Sequence, residues 1–272
     1  MINDDYYIDE NYYINNYYID DNYYIDNLYG YLAGIICFGI GYYFILHLIN
    51  KFCVFTVGDK TSWFLLHAIT NTAITYNSYD YVIQFFNDPS EINEYIVFDY
   101  VGLLGAVLHL YHCLNYKLTL IDKMHHIFSV FLCVPLALYN GKKVLYLYYF
   151  FGTGLPGGID YYLLCLVKKN IIHPLTEKKI NAAINAYLRM PGLFITSFLI
   201  YQTRLSEQTG ENRVNVLFNI EMPQTVDWKC FEYYSTCLLS FLIFLNSAYF
   251  GNLAIYNYSE RKALQYTKCK NT

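Results

Sequence analysis

Long apolar runs alternate with short charged clusters along this 272-residue chain. A membrane-spanning helix needs about 20 mostly apolar residues. Seven stretches come near or reach that length, at roughly 28–50, 61–86, 95–115, 124–141, 143–168, 179–203 and 230–256. The fourth is the shortest, and only Asn140-Gly141-Lys142-Lys143 parts it from the fifth. Without a turn there the count falls to six, or the pair becomes a re-entrant hairpin. The pattern predicts an all-α transmembrane protein, a bundle of about seven spanning helices.

The first 27 residues break the pattern. Residues 6–16 read YYIDENYYINN and residues 17–27 read YYIDDNYYIDN, a near-perfect tandem repeat. Acidic residues and Asn interrupt each Tyr-Tyr-Ile triplet, so no apolar run reaches spanning length. With no positive n-region and no small-residue cleavage site, a signal peptide is not expected. The segment reads as an acidic low-complexity tail without a fold of its own.

Composition agrees with a membrane protein: 56% of residues are hydrophobic and 15% are charged, against about 25% charged in soluble domains. The net charge of −4 leaves no basic face for nucleic acid, so none is expected as a partner. Eight cysteines lie mostly inside apolar runs and form no C-x-x-C pair, as small packing residues do.

Lys and Arg favour the cytosolic side of membrane proteins. With the N-terminus outside, twelve of them fall in cytosolic segments, among them Lys51, Lys117, Lys168, Lys178 and Arg261. Five fall outside: Lys142, Lys143, Arg204, Arg213 and Lys229. A cytosolic C-terminus follows. The chain ends Lys268-Cys269-Lys270-Asn271-Thr272, the K-x-K-x-x form of a retrieval signal for the endoplasmic reticulum. The one Asn-x-Ser acceptor, Asn257-Tyr258-Ser259, would then face the cytosol and stay unmodified.

Ionisable side chains within spans are costly and mark function by default. Here they are His47, His67, His109, His112, His125, His126, Asp160 and Arg189. At about 1.5 Å per residue, all are expected in the cytosolic half. His47 and His67 fit interfacial hydrogen bonding. His109-x-x-His112 puts two imidazoles on one helical face, as metal ligands or as interhelical hydrogen-bonding groups. Arg189 either neutralises Asp160 or holds an anionic head group. His125 and His126 point about 100° apart in a helix, so one packing contact does not serve both. The run Gly152-Thr153-Gly154-Leu155-Pro156-Gly157-Gly158 before Asp160 reads as a kinked packing helix or as a cavity wall.

Several of these residues together resemble the TLC family, named for TRAM, Lag1 and CLN8 proteins. The resemblance rests on Trp63 to His67, the string Asp122-Lys123-Met124-His125-His126, the Gly-Pro-rich fifth span ending at Asp160 and Tyr161, and Arg189. It covers about residues 61–256, preceded by a first helix and loop at 28–60 and followed by a basic cytosolic tail at 257–272. It implies a helix bundle around a central cavity in the endoplasmic reticulum or a related membrane, with membrane lipids as partners. In the ceramide synthase branch a His pair joins an acyl group from acyl-CoA to a sphingoid amine. Carried over, His125 and His126 are the catalytic pair, Asp160 the acid that orients them, and Asp122 a weaker candidate for that acid. Arg189, His109 and His112 are then candidate substrate-binding residues. Acyl-CoA is the implied co-substrate; no metal or other cofactor is expected. The chain departs from that branch in being short, in lacking a homeobox-like segment, and in offering little acid beyond Asp160 after the His pair.

Three alternatives stand beside an acyltransferase. A non-enzymatic lipid-binding, lipid-sensing or trafficking protein would use the same cavity. A di-iron hydroxylase would need more histidines in H-x-x-H-H clusters than the seven present. A transporter would be expected to show an inverted repeat, and none is visible.

Overall fold

The computed structural model describes residues 21–89, 94–96, 98–206 and 228–270. Most of the Tyr-Tyr-Ile repeat, Arg213 and the last two residues of the retrieval motif lie outside the described residues, as do the side chains of Arg204, Lys229, Lys268 and Lys270. The described chain is all-α, in seven helical stretches: α1 Asp21–Val57, α2 Asp59–Asn87, α3 Tyr100–Asn115, α4 at 120–140, α5 Leu145–Lys168, α6 at 174–206 and α7 Trp228–Lys270. Among the described residues four helical stretches are long and apolar enough to cross a membrane: Tyr29–Val57, Leu145–Lys168, Pro174–Thr203 and Cys230–Thr267. The chain is therefore an integral membrane protein.

The boundaries differ from the sequence expectation where caps intervene. α3 starts at Tyr100 rather than near 95, because the Asp99 side chain accepts from Gly102 N at 2.9 Å and caps the helix. Tyr149 donates its hydroxyl to the same carboxylate from α5. α4 starts at Leu120 through a capping box: Asp122 accepts from Thr119 N at 2.9 Å, and Thr119 Oγ1 accepts from Asp122 N at 3.2 Å. The α4–α5 turn does form. Gly141 closes α4 with φ 56, a left-handed conformation suited to glycine. Residues 94–96 zip onto this turn through Ile96 N to Gly141 O, Lys143 N to Glu94 O and the Lys143–Glu94 ion pair at 2.7 Å. At its C-terminal end α7 runs on to Lys270, through residues expected to form a tail. No Gly or Pro follows Gly251 to stop it. Its 43 residues span about 65 Å at 1.5 Å per residue, so its exposed end, from Ser259 onward, reaches past a bilayer core of about 30 Å.

α2 is central, packed against α1, α3 and α5. Length and apolarity do not mark it as a span, because its buried positions include Ser62, Thr70, Asn71 and Ser78. Among them Ser62 donates to Asp59 O at 2.9 Å, Ser78 donates to Ile74 O at 2.6 Å, and Thr70 accepts from the Tyr42 hydroxyl at 3.4 Å. The less buried Thr72, Thr75 and Asn77 likewise turn back on the helix's own carbonyls. The glycines of α5 face this helix. A Cβ on Gly154 would lie 2.9 Å from Thr75 Oγ1, and one on Gly157 would lie 2.6 Å from Asn71 Nδ2. Small residues here let two helices meet at backbone distance, which is how helices associate where no water is displaced.

Three helices contain a π-helical turn: Ile127–Cys133 in α4, Tyr149–Gly154 in α5 and Asn185–Arg189 in α6. The turn in α5 ends two residues before Pro156, so the missing proline N–H falls where the ladder is already shifted. The Gly-Pro run is thus a helix that packs closely on α2, and its Gly152, Thr153, Pro156 and Gly157 also form part of a cavity wall.

Candidate functional site

Most of the ionisable residues expected within spans meet around one cavity of about 220 Å³. Its wall takes residues from six helices: His67 and Asn71 of α2, His109 of α3, Asp122 and His125 of α4, Tyr148, Pro156, Asp160 and Tyr161 of α5, Asn181, Asn185 and Arg189 of α6, and Asn246 and Phe250 of α7. α1 contributes nothing to this wall. Its His47 stays apart, with Nδ1 3.4 Å from the Tyr111 hydroxyl.

The two adjacent histidines separate in role. His125 lines the cavity, with its ring edge-on to Phe250 at 5.2 Å. Among the described residues neither of its ring nitrogens has a hydrogen-bond partner. His126 is buried and outside the cavity wall, its Nε2 3.1 Å from Nδ1 of His112. His112 in turn rests on Trp63 at 3.8 Å, and Trp63 on His67 at 3.5 Å. His109 lies over both members of the pair, with ring centroids 5.3 Å from His125 and 5.0 Å from His126. Five of the seven histidines therefore form one cluster, with His125 and His109 toward the cavity and His112 and His126 behind. Among the described residues, Nδ1 of His109 and Nδ1 of His126 are buried without a hydrogen-bond partner. Among the described residues no three donors converge as a metal site requires.

The charged groups are each held differently. Asp160 accepts from Asn181 Nδ2 at 2.7 Å, and the same amide reaches Glu177 Oε1 at 3.5 Å. Glu177 pairs with Lys178 at 3.2 Å. Asp160 makes no hydrogen bond to either imidazole and no ion pair with Arg189 within 4 Å, so neither partnership anticipated for it is formed. Asp122 precedes the fourth span and is spent on the cap of α4. Partial burial would raise its carboxyl, but the Thr119 hydrogen bonds, with His112 and His126 nearby, hold it below its usual range. Asn181, Asn185 and Arg189 recur at four-residue spacing, one helical stripe visible in the sequence but not singled out there. Asn71, Tyr148 and Asn246 carried no such signal; they reach the wall only because of how the helices cross.

A second, apolar cavity of about 410 Å³ adjoins the first. Leu120, Met124, Phe128, Cys133, Leu242, Leu245 and Tyr249 line it, between α4 and α7. Its outer wall is exposed on the lipid-facing surface at Met124, Phe128, Leu245 and Tyr249. The two cavities share His125, Ser129, Tyr148, Asn246 and Phe250. His125 thus stands where a polar chamber meets an apolar one. No known protein family, no curated protein and no solved structure matches this chain.

Proposed function

We propose that this protein acts in lipid metabolism as a TLC-like, acyl-CoA-dependent N-acyltransferase. On this reading seven helices cross the endoplasmic reticulum or a related membrane, with the N-terminus lumenal and the C-terminus cytosolic. The observation that carries the reading is the junction of the two chambers at His125. An acyl chain fits the apolar side, and its reacting carbonyl then falls beside an imidazole and a set of polar groups. A cytosolic-half site suits acyl-CoA, whose nucleotide end is too polar to cross the membrane.

The chemistry runs in two transfers. The unprotonated nitrogen of His125 attacks the thioester carbonyl, the C–S bond breaks, and the coenzyme A thiolate leaves, taking up the imidazole N–H proton. The lipid amine then attacks the acyl-imidazole, the C–N bond to His125 breaks, and an amide forms. The proton released by the amine passes by way of Asp160 to the departing imidazole nitrogen, which restores neutral His125 and ionised Asp160. His109, with His126 and His112 behind it, fixes the orientation of His125. Acyl-CoA and amine are thereby converted to amide and free coenzyme A.

A second reading, a lipid-binding protein without chemistry, is favoured by the lipid-facing apolar chamber. Lipid mass spectrometry on cells expressing wild type or His125→Ala, matched for membrane abundance, separates the two. An amide-linked lipid pool that grows only with wild type supports acyl transfer. Identical profiles from both proteins remove the catalytic role of His125 for the lipids surveyed and leave lipid binding.

A further inference from the structure

We infer that Arg189 makes the polar chamber an anion site, and that the ligand it selects is a long-chain carboxylate with its hydrocarbon tail in the apolar chamber. The inference shares its cavity with the acyl-transfer reading but holds whether or not His125 is ever acylated.

Arg189 closes the π-helical turn Asn185–Arg189 and lines the polar chamber. Among the described residues its guanidinium has no ion pair within 4 Å and no hydrogen bond, although Arg carries five N–H donors and cannot shed its charge. Such a group within a membrane protein is costly unless something accepts those donors. The carboxylates of this layer are engaged elsewhere: Asp122 with Thr119, Glu177 with Lys178, and Asp160 with Asn181. Asp160 lines the same chamber as Arg189 and offsets part of its charge without taking its hydrogen bonds. A group bearing one negative charge and two coplanar oxygens matches what is left, since a guanidinium pairs with a carboxylate through two parallel hydrogen bonds. A dianionic phosphate would need more positive charge than one guanidinium set against Asp160 supplies.

The neighbouring chamber defines the rest of the ligand. It is apolar, large enough for an alkyl chain, and joined to the polar chamber beside His125. Arg189 and His125 line the same polar chamber. The position that binds a carboxylate oxygen therefore also suits the oxygen of an acyl carbonyl attacked at His125, where negative charge would develop.

The test uses the full-length protein purified in detergent, with tritiated hexadecanoate, hexadecanol and hexadecyl phosphate as probes. Wild type is expected to bind hexadecanoate about ten-fold more tightly than hexadecanol, the effect of charge-assisted hydrogen bonds. Arg189→Met should abolish that preference while leaving hexadecanol binding unchanged, and Arg189→Lys should restore part of it. Leu242→Trp, which fills the apolar chamber, should weaken all three probes. No carboxylate preference in wild type, a preference surviving in Arg189→Met, or a stronger preference for hexadecyl phosphate would each overturn the assignment. Should Arg189→Met fail to fold, Asp160→Asn serves instead. Removing the offsetting carboxylate is expected to tighten the two anionic probes but not hexadecanol, and unchanged or weaker hexadecanoate binding overturns the inference. If carboxylate preference stands while His125→Ala leaves cellular lipids unaltered, the anion site survives and acyl transfer does not.

Discussion

Alanine at Gly154 should weaken the bundle, while alanine at Gly158, one turn further along α5, should leave it unchanged or tighten it. At Gly154 the new methyl would meet Thr75 Oγ1 at 2.9 Å, the Tyr149 carbonyl oxygen at 2.9 Å and Thr75 Cα at 3.2 Å. The Tyr149 carbonyl belongs to α5 itself and Thr75 Cα to the backbone of α2, so no rotamer change relieves both contacts: α5 must distort locally and the two helices must move apart. Overpacking of this kind costs about 1–3 kcal/mol. Replacing a helical glycine returns roughly 0.5–1 kcal/mol through backbone entropy, leaving a net loss centred on ~1 kcal/mol and at most about 2.5 kcal/mol. At Gly158 the nearest atoms are Thr72 Oγ1 at 3.6 Å, then Asn71 Cβ and Thr72 N, both at 3.7 Å. That is ordinary contact, so only the entropic gain remains. Thermal unfolding in detergent, followed by dye labelling of the buried Cys133 and Cys165 thiols, reads both variants. With about 2–4 °C per kcal/mol for a chain near this size, Gly154→Ala should melt several degrees lower and Gly158→Ala no lower than wild type. Equal melting of Gly154→Ala and wild type, or a larger loss at Gly158, would refute close α2–α5 packing.

Ser197 and Ser240 exchange hydrogen bonds between α6 and α7, each hydroxyl donating to the other's carbonyl at 2.8 Å. Because the acceptors are backbone carbonyls that alanine retains, Ser197→Ala and Ser240→Ala should each cost about 0.6 kcal/mol, up to ~1.7, as for polar contacts between membrane helices; no loss in either single variant in unfolding measurements would show the exchange contributes nothing. For orientation, acceptor sequons engineered before α1 should be glycosylated in microsomes, while native Asn257 stays unmodified; the opposite pattern would invert the topology and put the cavity on the lumenal side.

Local order fixed more of this protein than could be expected for its site. The four stretches long and apolar enough to cross a membrane are helical because a backbone in lipid must satisfy its own hydrogen bonds, whatever its neighbours are. The turn at Asn140-Gly141 was legible for a similar reason: it depends on one residue's tolerance of positive φ. Clustering of His, Asp and Arg in one layer also followed from residue count along a helix. What rotates each helix about its axis is its neighbours, and there the sequence is silent. The adjacent His125 and His126 look equivalent in the chain. Only packing against His112 and Phe250 turns one inward to its neighbour and the other to the cavity. Asp160 and Arg189 looked like a natural pair, yet Asn181 takes the carboxylate, because α6 presents its amide a hydrogen bond away. Apolar periodicity decides which segments enter the membrane; the side chains that meet there depend on helix rotation, close glycine contacts and π-helical turns, all set by tertiary contacts.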